Sequence, residues 1–240
     1  MIVYGINPVV EALKAGRVSR LLVASRDDER LRRILALASE RRVRVEKVDA
    51  GELVRLSRDG VHQGVVAEVR GGRDHSVADL VQAAAGPSLL VVLDGIEDPH
   101  NVGAIIRSVD GAGAHGVIRQ TRRAAALDAV AAKASAGAVS HVAVADVVNI
   151  ARAIDELKQL HVWVAGLDGE ATQPYDAIDW TLPSAIVLGA EGTGLRRLVR
   201  ESCDFLVSIP MAGQVESLNV SVAAGVVLYE AARQRRLASR

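Results

Sequence analysis

Aromatic side chains are scarce: three Tyr, two Trp and one Phe in 240 residues, with Tyr4 alone in the first seventy. So few rings argue against a recognition surface built on aromatic stacking. They also leave the core to Val, Ala, Leu and Gly, as where helices and strands pack through small side chains. The single cysteine, Cys203, excludes an intrachain disulfide and a cysteine-based metal site, and suits a reducing compartment. Beside an apolar strand it reads as a small semi-buried residue, not a nucleophile. Net charge is absent too, with 29 Lys plus Arg against 29 Asp plus Glu, so no global field advertises a nucleic-acid partner. The sequence has no apolar run pure enough to span a bilayer and no cleavable leader pattern, so no membrane partner and a cytoplasmic location are expected.

Several catalytic signatures are missing. A Walker phosphate loop and a G-x-S-x-G elbow are absent, which removes the hydrolase context for Ser217. Gly111, Gly113 and Gly116 do spell G-x-G-x-x-G. A dinucleotide fingerprint, however, follows a strand and opens a helix, whereas these glycines close a helix and precede a strand. Helix termination is the better reading.

Half of the residues are hydrophobic, enough for a substantial core. Residues 1–70 alternate helix and strand: a helix after Asn7-Pro8, a strand over 20–24, an amphipathic helix over 27–42, a half-exposed strand over 43–48, a short helix over 52–57 and a strand over 64–69. This unit holds 14 Lys plus Arg against 10 Asp plus Glu, a local net of +4. Arg17, Arg20, Arg26 and Arg30 here, and Arg119, Arg122 and Arg123 later, are candidates for phosphate contacts. Residues 71–87 read as a linker that contains a short helix from 77.

From residue 88 the pattern changes. LLVVL at 89–93 is an uninterrupted apolar strand of the kind buried on both faces of a parallel sheet. Further strands are expected over 116–119, 141–145, 161–167, 185–188 and 205–209, with helices over 101–112, 128–138, 150–160, 195–201 and 218–236. The alternation predicts an α/β fold with a mainly parallel, doubly wound sheet. Ligands of such sheets bind beyond the carboxyl ends of the strands. Three loops leave strand ends there, over 94–107, 189–194 and 209–219, and each mixes Gly or Pro with polar residues. Ser217 and Asn219 stand where the last loop meets its helix, positions that suit either a helix cap or a ligand contact.

These loops carry a resemblance. DPHNVGAIIRS (98–108), IVLGAEGTGL (186–195) and IPMAGQVESLNVSVAAG (209–225) resemble the three motifs of the SpoU, or TrmH, branch of the SPOUT methyltransferases, in order, over roughly 88–236. The opening seventy residues, with YGINPVVEAL at the front, resemble the ribosomal-protein-like substrate-binding domain of the 23S rRNA guanosine 2′-O-methyltransferases, the RlmB group. The resemblance implies methyl transfer from S-adenosylmethionine to a ribose 2′-hydroxyl, RNA as partner, a homodimer, a C-terminal trefoil knot and no metal. It divides the chain into a substrate-binding domain at 1–70, a linker at 71–87 and a SPOUT domain at 88–240. Asn101, Arg107, Glu191, Ser217 and Asn219 match the motifs' polar, catalytic positions, and Gly189, Ile209 and Leu218 match the cofactor loops. Arg107, always protonated, is assigned to binding a phosphate beside the target ribose and stabilising the 2′-oxygen as charge develops. Plainer readings stand beside these: an ion pair of Arg107 with Asp110, and Glu191 favouring a helix N-terminus. A tRNA or resistance-type 23S rRNA methyltransferase, or a non-catalytic assembly factor on the same fold, are the alternatives.

Overall fold

A computed structural model describes residues 2–25, 28–57, 60–70, 75–121, 124–125 and 127–239. The first unit runs β1 (Ile2–Tyr4), α1 (Ile6–Lys14), β2 (Val18–Ala24), α2 (Glu29–Glu40), β3 (Arg44–Val48), α3 (Ala50–Ser57) and β4 (Val65–Val69). Its sheet has the order β1-β4-β2-β3, with β2 and β3 parallel and β4 antiparallel to both neighbours. α2 starts where Asp28 accepts a hydrogen bond from the Leu31 amide at 2.9 Å. Its apolar stripe, Leu31, Ile34 and Ala38, is buried. β3 is an edge strand, which is why its charged residues stay exposed.

The second unit runs α4 (Val77–Gln82), β5 (Leu89–Asp94), α5 (Pro99–Ala112), β6 (Gly116–Gln120), α6 (Ala129–Ala134), β7 (Ala143–Val147), α7 (Ile150–Gln159), β8 (Trp163–Leu167), β9 (Gln173–Pro174), β10 (Ser184–Gly189), α8 (Arg197–Ser202), β11 (Phe205–Ser208) and α9 (Val220–Ala238). The sheet order is β7-β6-β5-β10-β8-β11-β9, every pairing parallel. The apolar run of β5 has its explanation here. Leu89, Val91 and Leu93 join one core with α5 and α9, while Leu90 and Val92 join another with α4 and α7. Strand order reverses at the β5–β10 pair, the switch point where such sheets open a crevice. Among the described residues no helix is long and apolar enough to cross a membrane.

Three expectations need correction. The helix expected over 128–138 ends at Ala134, because Ala136 and Gly137 have φ of 52° and 95° and lead into a 3-10 turn, Ala138–Ser140. The break lets the chain meet the first unit: a methyl at Gly137 would lie 2.6 Å from Glu11 Cβ. The apolar run FLVSI at 205–209 suggests a buried strand, yet β11 is only partly buried, Val207 excepted, because the sheet beyond it holds just the two-residue β9, which the sequence pattern did not suggest. Part of the expected linker, α4, packs on the large sheet through buried Val77 and Leu80, while residues 71–74 lie outside the described residues.

The two units touch. Arg17 Nη1 donates to the Val139 carbonyl at 2.9 Å, and Glu11 Oε2 meets His141 Nε2 at 2.9 Å. Arg20 binds Glu46 at 2.7 Å and Glu68 at 3.2 Å. Arg17 and Arg20 are therefore engaged internally rather than free for phosphates, and Arg119 is held by Asp146 at 2.7 Å. Arg30 is exposed. Arg26, Arg122 and Arg123 lie outside the described residues.

Candidate active site at the switch point

The loops after β5, β10 and β11 converge at the carboxyl edge of the sheet. After β5, Asp98 caps α5 by accepting from the His100 amide at 2.9 Å, and Pro99 opens the helix with φ already suited to it. Asn101 thus falls in the first turn of α5, where it is buried, at 7% exposure. The far end of α5 is closed by Gly113 at φ 70°, so the glycine series terminates a helix, as its context predicts.

After β10 the chain folds back on itself. Ala190 and Gly194 pair as a bridge, with the Gly194 amide donating to the Ala190 carbonyl at 2.9 Å. Gly189 lies directly beneath this turn: a methyl there would sit 2.2 Å from the Gly194 carbonyl carbon. Only glycine lets the strand and the returning loop approach so closely.

After β11 the chain is extended and largely exposed until Asn219 caps α9, its Oδ1 accepting from the Ser221 amide at 2.9 Å and the Ser221 hydroxyl at 2.6 Å. Among the described residues the amides from Met211 to Leu218 have no hydrogen-bond partner, so this loop presents free main-chain donors.

Asn219 joins the three loops. Its Nδ2 donates to Asn101 Oδ1 at 3.0 Å and to Glu191 Oε1 at 2.6 Å. One amide therefore ties the start of α5, the turn after β10 and the start of α9 together. Glu191 also lies at the positive end of α9, so the simple helix-terminus reading and the site reading coincide.

A cavity of about 410 Å³ opens beside this cluster. Leu167, Leu188, Ile209, Leu218 and Ala223 supply its apolar wall; Gly189, Glu191, Ser217 and Asn219 supply its polar rim. Of the residues singled out in the sequence, Gly189, Glu191, Ile209, Ser217, Leu218 and Asn219 line this cavity, and Asn101 reaches it through Asn219. Arg107 does not line it. It is exposed on the outer face of α5, and no hydrogen bond or ion pair holds it among the described residues, so the pairing with Asp110 does not form.

A second cavity of about 420 Å³ shares Ala190, Glu191 and Gly194 with the first and includes Asn101. Asp94, Gln120 and Arg196, which lie outside the three motifs, complete its wall. The carboxylate of Asp94, fully buried, accepts from the Arg196 amide at 2.9 Å and from Arg196 Nε at 2.6 Å, and also takes Nη2. Nη2 bonds Gln120 Oε1 at 2.8 Å as well. Asp94 ends an apolar strand and Arg196 follows the second motif, so only the fold could pair positions 102 residues apart. Cys203 stays inert: burial, with Asp204 beside it, pushes its thiol up to about 12.

Comparison with known proteins bears on the family and the fold. The SpoU rRNA Methylase family profile matches residues 88–229, and a profile described as RNA 2′-O ribose methyltransferase substrate binding matches residues 2–74. The chain is 46% identical to an uncharacterized tRNA/rRNA methyltransferase of Mycolicibacterium gilvum, over 98% of this chain and 77% of that one. It is 44% identical to the Pseudomonas putida 23S rRNA (guanosine-2′-O-)-methyltransferase RlmB, over 98% and 97%. The crystal structure of the SpoU methyltransferase AviRb from Streptomyces viridochromogenes, in complex with AdoMet, superposes with a TM-score of 0.84 at 29% identity, covering 99% of this chain and 91% of that one.

Proposed function

The chain belongs to the SpoU rRNA Methylase family, and from that membership we propose that it methylates the ribose 2′-hydroxyl of a guanosine in 23S rRNA, with S-adenosylmethionine as donor. The observation that carries this reading is the hydrogen-bonded set Asn101, Asn219 and Glu191 at the rim of a cavity roofed by unpaired amides. The cavity suits the cofactor: Gly189 lets the 190–194 turn close over its rim, and Ile209 and Leu218 offer apolar contact to an adenine. When bound there, S-adenosylmethionine supplies an electrophilic methyl group. Main-chain groups around Gly189, Ile209 and Leu218 hold it. Ser217, Asn219, Asn101 and Glu191 orient the ribose hydroxyl, and orientation of this kind supplies much of a transfer rate.

Arg107 completes the site as a fixed positive charge that binds a phosphate of the RNA and stabilises the developing oxyanion. Its distance from its own cavity fits a homodimer. Ala104, Arg107, Ser108 and Gly111 share one face of α5, and exposed Val222 and Tyr229 share the adjoining face of α9. The two faces meet where a methyl at Gly111 would lie 2.8 Å from the Tyr229 hydroxyl. A second copy packed on this small-residue surface brings its Arg107 toward the site. The division into a substrate-binding domain, a linker and a catalytic domain, a knotted C-terminal path and action in the cytoplasm complete the proposal.

Mapping 2′-O-methyl positions in total RNA with and without the protein tests the reading. A single guanosine of 23S rRNA is expected to lose its methyl group when the protein is absent. An unchanged map, or no calorimetric binding of S-adenosylmethionine, counts against it. Arg107→Ala is expected to abolish transfer and leave cofactor affinity within about twofold; lost cofactor binding refutes its role.

A further inference from the structure

The second cavity holds a recognition device that the transfer chemistry does not use. It lies at the ends of β5, β6 and β10, joined to the cofactor cavity through Ala190, Glu191 and Gly194. Its volume, about 420 Å³, is in the range of small-ligand sites. Arg196 is locked in its wall: Nε and Nη2 are committed to buried Asp94, and Nη2 also to Gln120. Nη1 makes no hydrogen bond among the described residues and remains a donor in fixed orientation. With Asp94 buried and only Arg196 half-exposed, the pair fixes the direction of the guanidinium.

The remaining charged groups say what enters. Asp98 is spent on the cap of α5 and Glu191 on Asn219. Glu97, in the same cavity wall, has no hydrogen-bond or ion-pair partner among the described residues. With the charge of Arg196 already balanced by Asp94, a phosphate here would meet unbalanced carboxylates and be repelled. An uncharged base carrying its own donors would not.

The geometry points to this cavity as the seat of the target base, a guanine read along its Watson–Crick edge by Arg196 and Glu97. The inference rests on the proposed ribose methylation in the adjoining cavity. A guanine presents O6 as acceptor, then N1–H and the N2 amino group as donors; Arg196 Nη1 donates to O6, and the Glu97 carboxylate accepts from N1–H and N2–H. Adenine turns a donor toward the arginine and an acceptor toward the carboxylate, and cytosine does the same. Uracil satisfies O4 and N3–H but sets O2 against the second carboxylate oxygen. Enzymes that work on a flipped-out nucleotide read its Watson–Crick edge in this way. With the base here, its ribose falls between the two cavities, beside Asn101 and Glu191.

The test uses 23S rRNA transcripts carrying either the guanosine that the wild-type protein methylates or, by splinted ligation, inosine at that position, which lacks the N2 amino group. Wild-type kcat/KM is expected to favour guanosine by roughly tenfold, and Glu97→Gln to reduce that preference to near one with cofactor affinity unchanged. Glu97 is exposed and unpaired, so this variant folds. Arg196→Lys keeps a charge beside Asp94 but loses the oriented Nη1 donor, so it is expected to lower kcat/KM on the guanosine and inosine transcripts alike, both of which carry O6; an unchanged value overturns Arg196 as the O6 donor. Unchanged guanosine preference in Glu97→Gln overturns the base reading alone. Wild-type protein that methylates no ribose in these RNAs overturns the reading of the site, and this inference with it.

Discussion

Replacing Asn219 separates two roles that converge on one side chain. Its Oδ1 caps α9, and its Nδ2 binds Asn101 and Glu191. Loss of an N-cap costs about 1 kcal/mol. The bond to Asn101 is neutral but leaves an amide at 7% exposure without its partner, for roughly another 1 kcal/mol. The bond to Glu191 is charge-assisted, a class that contributes about 1.5–3 kcal/mol, but it is open to water and screened, which brings it down to about 1 kcal/mol. Asn219→Ala should therefore destabilise the protein by about 3 kcal/mol. Asn219→Ser keeps an acceptor for the cap and drops both donors, so it should cost about 1 kcal/mol less. Urea unfolding at constant m-value reads both differences, and titration calorimetry with S-adenosylmethionine reads the site. Both variants should bind at least tenfold more weakly, because the free donors of residues 211–218 lose their anchor. Equal stability of the two variants would refute the capping share. Full cofactor affinity in Asn219→Ala would refute the idea that this amide holds the three loops together.

Gly189→Ala is expected to displace the turn over residues 190–194, since its methyl would meet Gly194 at 2.2 Å; a stability loss of about 1–3 kcal/mol and a sharp fall in cofactor affinity should appear by calorimetry and thermal melting. Arg235 donates to the carbonyls of Ser88 at 2.9 Å, Trp180 at 2.8 Å and Leu182 at 3.0 Å, so Arg235→Ala should lower stability by about 3 kcal/mol in denaturant and loosen the end of α9. His115 Nδ1 accepts from the Leu89 amide at 3.0 Å, and burial, with Arg235 nearby, holds its pKa below the usual 6.5. The folded state thus favours the neutral ring: its contribution is complete above pH 6.5 and is lost as the pH falls through the lower folded value. Tm measured across that window should decline more steeply in wild type than in His115→Asn, which keeps an acceptor; equal slopes would exclude His115 as the cause.

Local pattern was sufficient wherever one segment decides its own state. The run 89–93 can only be a strand covered on both sides, the 3.6-residue stripe of α2 faces inward, and Gly113 ends α5 because its left-handed conformation suits glycine. Pattern failed where a distant neighbour intervened. The helix over 128–138 stops short because Gly137 packs on Glu11, and β9 exists only because β11 offers it an edge.

For the site, strand ends with turn-forming neighbours located the three loops, and resemblance to the family motifs picked out Asn101, Glu191 and Asn219 within them. What the order of residues could not contain is their meeting point, which depends on β10 inserting between β5 and β8. The same crossing brings Asp94 to Arg196 and leaves Arg107 on an outer face, two facts with no local signature. Composition, periodicity and motif order determined the class of fold and the loops that matter, because those follow from short-range backbone preference and burial. Which side chains touch, and which arginine is locked and which free, was decided by long-range strand pairing, where residues a hundred positions apart become neighbours.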